Sequence, residues 1–269
     1  MVWLGIITIL VAGLWGWARW FEWHQAFHPS RTVEGDPADA GLVVESVDFV
    51  AADGCRLHGW WIPHPEATGS LIYCHGNAGN LTTRIDLAAR LHTLPVNLFL
   101  FDYRGYGRSK GIPSERGVYQ DALAAYEVVR AKHGDMETPP VMVYGASLGG
   151  PVAVEVAVRR PVSGLILECT FISSRELGRH WFPRLPVSAI SRYQFDALAK
   201  IGSVKAPVLI AHSPEDQLIP YALGRRLYNA APEPKQFVDL QGGHDEAGWN
   251  QSPEYWPVLE AFVREHFQG

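Results

Sequence analysis

A serine hydroxyl acts as a nucleophile near neutral pH only with help. A base must take its proton, an acid must orient the base, and donors must receive the oxyanion that forms. The 269-residue sequence holds a candidate for each part. Ser147 sits in Gly145-Ala146-Ser147-Leu148-Gly149-Gly150, directly behind the apolar run Val141-Met142-Val143-Tyr144. That run has the length and β-branching of a buried strand, and Leu148 to Arg159 reads as a helix, so Ser147 is predicted in the tight turn between them. A strained turn of this kind needs small neighbours, which the glycines supply. His244, in Gly242-Gly243-His244-Asp245, is the candidate base. Asp216, in the loop after a predicted strand ending at Ala211, is the candidate acid, with Glu168 as its rival.

Two backbone N–H groups complete the set. Leu148 N–H stands at the predicted helix N-terminus, where the dipole favours negative charge. The loop His75-Gly76-Asn77-Ala78-Gly79-Asn80 follows another predicted strand and can present a second N–H. Asn77 is the choice for that donor, with Ala78 one residue away as the alternative. The same loop lacks the G-x-x-x-x-G-K-[ST] pattern and a nearby lysine, so it is not read as a phosphate loop. Among the other ionisable residues, His75 and His212 are read as structural, and Asp102, Arg104 and Arg108 as a buried charge cluster that shapes a loop.

These side chains need a scaffold. Val43–Phe49 and Cys55–Ile62 alternate as an antiparallel hairpin around Asp53-Gly54. Strands are predicted at Ser70–Cys74, Val96–Phe101, Val141–Tyr144, Gly164–Glu168, Pro207–Ala211 and Gln236–Leu240. Helices fall at Arg84–Leu91, Ser114–His133, Leu148–Arg159, Tyr221–Ala230 and Pro253–His266. An antiparallel start followed by repeated βα units predicts an α/β fold with a mostly parallel sheet covered on both faces. Phe171–Tyr193 interrupts the alternation with an apolar, proline-punctuated stretch that ends in a short helix at Asp196–Ile201. Lying on the carboxyl side of a strand, it reads as a cap of about residues 171–195 over the site, with Trp181 and Phe182 as substrate-binding candidates.

A hydrophobic content of 47% suits one large domain. A net charge of −5 leaves no basic excess for nucleic acid. The three cysteines show neither a disulfide framework nor metal-ligand spacing, and no metal or cofactor is expected. Residues 2–18 carry no charge and are bordered by Trp3 in front and by Trp15, Trp17, Trp20, Phe21 and Trp23 behind. As a helix they span about 25 Å, short for a bilayer, but tryptophans at both ends suit a membrane interface. The expectation is a single-pass or monotopic membrane anchor over residues 1–28 that takes no part in the chemistry. A signal peptide and a docking or amphipathic helix are the alternatives. A polar linker over 29–42 and a catalytic domain over 43–269 follow.

The chain resembles the α/β-hydrolase superfamily, and within it the membrane-anchored α/β-hydrolase domain-containing serine hydrolases. The resemblance rests on His75-Gly-Asn-Ala-Gly-Asn80, Phe101-Asp-Tyr-Arg-Gly-Tyr-Gly-Arg-Ser109, Pro113-Ser-Glu115, Gly145-Ala-Ser-Leu-Gly-Gly150, Asp216-Gln-Leu-Ile-Pro220 and Gly242-Gly-His244. The order Ser147, Asp216, His244 is also that of the family, not of chymotrypsin or subtilisin. The resemblance implies Ser147 as nucleophile, His244 as base and Asp216 as acid, with Asn77 and Leu148 at the oxyanion. It implies hydrolysis of lipophilic acyl esters such as monoacylglycerols or lysophospholipids through an acyl-serine. Serine peptidase or acyl-protein thioesterase activity is the alternative, and a non-catalytic membrane-tethered binding protein a third reading. Ser147 excludes the branches that use an Asp or Cys nucleophile.

Overall fold

The computed structural model describes residues 2–137, 139–187, 191–244 and 251–267. In chain order its strands are β1 (His28–Pro29), β2 (Glu45–Val50), β3 (Arg56–Ile62), β4 (Gly69–Cys74), β5 (Ala78–Gly79), β6 (Val96–Asp102), β7 (Val141–Ala146), β8 (Gly164–Glu168), β9 (Val208–His212) and β10 (Lys235–Asp239). The helices are α1 (Val2–Ala26), α2 (Ile85–Leu91), α3 (Glu115–Lys132), α4 (Gly149–Arg159), α5 (Ser174–Trp181), α6 (Leu198–Ile201), α7 (Tyr221–Ala230) and α8 (Tyr255–Phe267).

Eight strands form the main sheet in the order β10-β9-β8-β7-β4-β6-β3-β2. Pairings from β10 to β6 are parallel, while β2·β3 and β3·β6 are antiparallel. This is an α/β-hydrolase fold. The alternation of strand side chains divides the core into two clusters: Val141 and Val143 of β7 face one, Met142 and Tyr144 the other. Helices α3 and α4 bury apolar faces in the first cluster, α2 and α8 in the second. In α3, Val118, Ala122, Ala125 and Val129 recur at helical spacing behind a Ser114 side chain that caps the helix at Gly117 N–H. From β4 the chain steps to β6 on one side, then crosses through α3 to β7 on the other. Ligands of open α/β sheets bind at such a reversal, beyond the carboxyl ends of the strands.

The N-terminal segment differs from expectation. It is helical through Ala26, but no helix among the described residues is long and apolar enough to cross a membrane, so the transmembrane reading is withdrawn. The uncharged run is short, and the helix continues past it through Arg19 and Glu22 to dock on the globular body. Phe21 packs edge-on against Phe182 at 5.7 Å, and Trp23 Nε1 donates to the Pro113 carbonyl at 3.1 Å. At the boundary between the expected anchor and linker, β1 pairs in parallel with β5. Part of the cap expectation, residues 188–190, lies outside the described residues, as does Asp245 of the histidine motif.

The charge cluster after β6 is wired differently from its sequence reading. Arg104 pairs with Asp121 and Asp53 at 2.8 and 2.7 Å, not with Asp102. Asp102 accepts from Leu81 N–H at 2.9 Å and, as the reading grouped them, from Arg108 N–H at 3.4 Å. The pairing was not readable locally because Asp121 comes from α3.

Candidate active site

Ser147 closes the turn from β7 into α4 with φ at 53°, left-handed backbone that a non-glycine residue adopts only when its surroundings impose it. Those surroundings are specific. Ser147 N–H donates to the Glu168 carbonyl at 2.9 Å, and Ser147 C=O accepts from Gly150 N–H at 3.0 Å and Thr170 Oγ1 at 2.6 Å. A Cβ on Gly145 would run into the Gly149 carbonyl, and one on Gly149 into the Cys74 carbonyl. Strand, helix and turn can therefore approach only as they do with glycine at both positions.

The loops after β9 and β10 bring the partners in. His244 Nε2 lies 3.0 Å from Ser147 Oγ, and His244 Nδ1 lies 2.8 Å from Asp216 Oδ2. With Nδ1 protonated and donating to the carboxylate, Nε2 is left to accept the serine proton. Asp216 Oδ1 accepts from the N–H groups of Leu218 and Ile219 at 2.9 and 2.7 Å. His212, fully buried, places Nε2 3.0 Å from the Ile219 carbonyl and 3.3 Å from Asp216 Oδ2. Burial pushes the Asp216 carboxyl up, but hydrogen bonds from His212 and His244 outweigh it and hold the group well below the usual carboxylate range. Cys169, His212 and Asp216 bring one donor atom each within 4.8 Å of one another. With the Asp216 oxygens already engaged, this cluster reads as support for the carboxylate.

Glu168 is placed elsewhere. Its carboxylate accepts from Tyr144 OH, which in turn accepts from Tyr255 OH at 3.1 Å, and burial raises its pKa. Its main chain, through the Ser147 N–H, is what touches the nucleophile turn.

Leu148 stands at the N-cap of α4, and Asn77 faces the same cavity as Ser147 and Leu148. His75 Nδ1 lies 2.7 Å from the Gly76 carbonyl, and burial lowers the ring's pKa to about 3, so the imidazole is neutral and donates through Nδ1. In a trans peptide the N–H points opposite the carbonyl. Holding Gly76 C=O therefore sets the direction of Asn77 N–H.

A cavity of about 670 Å³ opens on Ser147. Leu177, Trp181, Phe182 and Leu185 of the cap line it, together with Leu218 and Ile219 from the acid loop. Its remaining wall is α1, through Trp17, Ala18, Phe21, Gln25 and Ala26. The helix expected as an anchor thus lines the same cavity as Ser147. Among the described lining residues the charged ones are Arg19 and Glu22, paired at 2.9 Å. Glu22 Oε1 also accepts from Ser191 Oγ, Arg192 N–H and Tyr193 N–H at 2.6, 2.6 and 2.9 Å, latching α1 to the returning end of the cap. A sequence signal existed, since the aromatics continue past Arg19 to Phe27 with no glycine or proline to end the helix.

Comparison with known proteins places this geometry. The model of the serine aminopeptidase S33 family matches residues 65–195. The α/β-hydrolase domain-containing protein WAV2 of Arabidopsis thaliana is 31% identical over 259 residues, covering 88% of this chain and 84% of that protein. The lysophosphatidylserine lipase ABHD12 of Rattus norvegicus is 34% identical over 224 residues, covering 72% of this chain and 55% of that one. In structure, the Pyrococcus furiosus esterase Pf2001 superposes with a TM-score of 0.73 at 18% identity, over 90% of this chain and 98% of that chain, a likeness of fold.

Proposed function

The chain belongs to the α/β-hydrolase superfamily, and from that premise we propose that it is a serine hydrolase cleaving carboxylic esters of single-chain lipophilic substrates, monoacylglycerols or lysophospholipids. The observation that carries the reading is the apolar cavity of about 670 Å³ that ends on Ser147. A pocket of this size lined largely by Trp, Phe and Leu suits an acyl chain.

In this reading Ser147 Oγ attacks the ester carbonyl carbon while its proton passes to His244 Nε2. The carbonyl oxygen becomes an oxyanion facing the N–H groups of Asn77 and Leu148. As the tetrahedral intermediate collapses, the C–O bond to the alcohol breaks and His244 returns the proton to the leaving oxygen. Water, deprotonated by His244, then attacks the acyl carbon, the bond to Ser147 Oγ breaks as His244 returns the proton to that oxygen, and the acid is released. Asp216 keeps the imidazole in the productive tautomer and balances its transient charge.

A peptidase that trims free N-termini needs a carboxylate to hold the substrate amine. Among the described lining residues that carboxylate is Glu22, and its oxygens are already engaged by Arg19 and residues 191–193. This favours the ester. A monotopic attachment accompanies the reading: Trp3, Ile9, Leu10, Leu14, Trp15 and Trp20 of α1 are exposed, a surface that suits a lipid interface.

The test is hydrolysis of p-nitrophenyl esters of increasing length beside monoacylglycerols, lysophospholipids and aminoacyl amides. Longer acyl esters should be preferred, and Ser147→Ala should abolish turnover and fluorophosphonate labelling. Faster cleavage of amides than esters would replace the esterase reading, and turnover by the alanine variant would end the serine mechanism.

A further inference from the structure

The segment that directly follows the helix walling the cavity pairs with the loop that carries the proposed oxyanion donor. Phe27, the residue after α1, is 1% exposed and packs edge-on against Tyr193 and Phe195 at 5.4 and 6.0 Å. The next residue, His28, donates its backbone N–H to the Asn77 carbonyl at 2.9 Å. Tyr106 OH donates to the same carbonyl at 2.8 Å. Two residues on, Ser30 N–H reaches Gly79 C=O at 3.2 Å, and Ser30 C=O accepts from Gly107 N–H at 2.8 Å.

Asn77 thus lies between two fixed peptides. The peptide before it is held by His75, and the one after it by His28 and Tyr106. With both neighbouring planes set, φ and ψ of Asn77 have little freedom, and its N–H keeps one direction. An oxyanion donor is effective only when it needs no reorganisation as charge develops. We propose that Phe27–Ser30, together with Tyr106, is a positioning element of the active site: it locks the Asn77 peptide toward the oxyanion and ties that lock to the seating of α1 against the acyl cavity. Phe27, His28 and Tyr106 are positioning residues in this scheme, since they act through Asn77. The inference rests on the serine-esterase reading and on Asn77 as a donor.

The test uses the full-length chain and short and long p-nitrophenyl esters. Tyr106→Phe keeps the buried ring and removes one of the two donors. Phe27→Ala loosens the segment, and Phe27→Leu restores most of the packing. On p-nitrophenyl acetate, which leaves most of the cavity empty, Tyr106→Phe should lower kcat about 5-fold and Phe27→Ala about 10-fold. KM should move less than twofold in both. Phe27→Leu should recover most of the kcat, and affinity for a trifluoromethyl ketone, which forms an oxyanion with Ser147, should fall in parallel with kcat. Wild-type kcat on acetate in both Tyr106→Phe and Phe27→Ala would overturn the proposal, as would losses confined to long esters, which would make the segment an acyl wall only. Should Phe27→Ala fail to fold, Tyr106→Phe decides the question. Ser147→Ala, assayed beside them, separates the outcomes: if it is inactive while the positioning variants are normal, the esterase reading stands and the clamp falls.

Discussion

Ala18 lies half-buried on the cavity side of α1 and offers the sharpest probe of that helix as part of the substrate site. Burying one methylene is worth about 0.8 kcal/mol, so extending an ester from acetate to octanoate makes up to about 5 kcal/mol available, or about 3.5 decades in kcat/KM. Ordering the chain takes back part of this, leaving a wild-type octanoate preference of about 100-fold. Ala18→Trp would fill the space beside Trp17 and Phe21 and deny the chain two or three methylenes of contact. At about 0.8 kcal/mol each, that is about 2 kcal/mol, or roughly 30-fold. The octanoate-to-acetate ratio should therefore fall from about 100 to a few-fold, because acetate does not reach Ala18. The assay is kcat/KM across the p-nitrophenyl series for both proteins. An unchanged ratio would refute α1 as an acyl wall, and so would an equal loss on every ester.

Three further outcomes are expected. Asp216→Asn should lower kcat by about 10³ to 10⁴ by leaving the His244 imidazole in the wrong tautomer, whereas Glu168→Gln should cost far less; single-turnover acylation rates would expose a reversal. Trp181→Ala should shift chain-length preference more than activity on acetate, since Trp181 lines the cavity and holds the Leu218 carbonyl through Nε1 at 3.1 Å. Because the folded-state pKa of Asp216 is depressed, its stabilising contribution is fully present above the unfolded carboxyl value of about 4 and is lost as pH falls through the folded one. Thermal melts between pH 2 and 6 should therefore show a weaker acid dependence in Asp216→Asn than in wild type.

Much of the sheet could be read from the chain because its information is local. A buried strand such as Gly164–Glu168 is a short apolar run between turn signals, and its predicted bounds match the observed ones. The glycines around Ser147 announced a turn for the same reason, as close backbone approach leaves no other residue type there. The choice between Asp216 and Glu168 was not local. Glu168 ends β8 and Asp216 lies in the loop after β9, and the hydrogen bonds separate them, with His244 against Asp216 and Tyr144 against Glu168. Least legible was α1. An uncharged run flanked by tryptophan has the same pattern whether it meets lipid or a cavity, and what distinguishes the two is Glu22, whose partners lie some 170 positions away.

That distance orders events during synthesis. A chain emerges from its N-terminus, so α1 and Phe27 are made before the residues they pack against. Asn77, which His28 binds, follows after about fifty residues. The residues that bury Phe27 and satisfy Glu22, at 191–195, come much later. Until then the end of α1 around Glu22 and Phe27 lacks the partners that seat it on the cap, and the cavity wall closes only after the cap has been made. His244 emerges later still. A ribosome-bound fragment ending before residue 191 would therefore display the helix without Asp216 or His244.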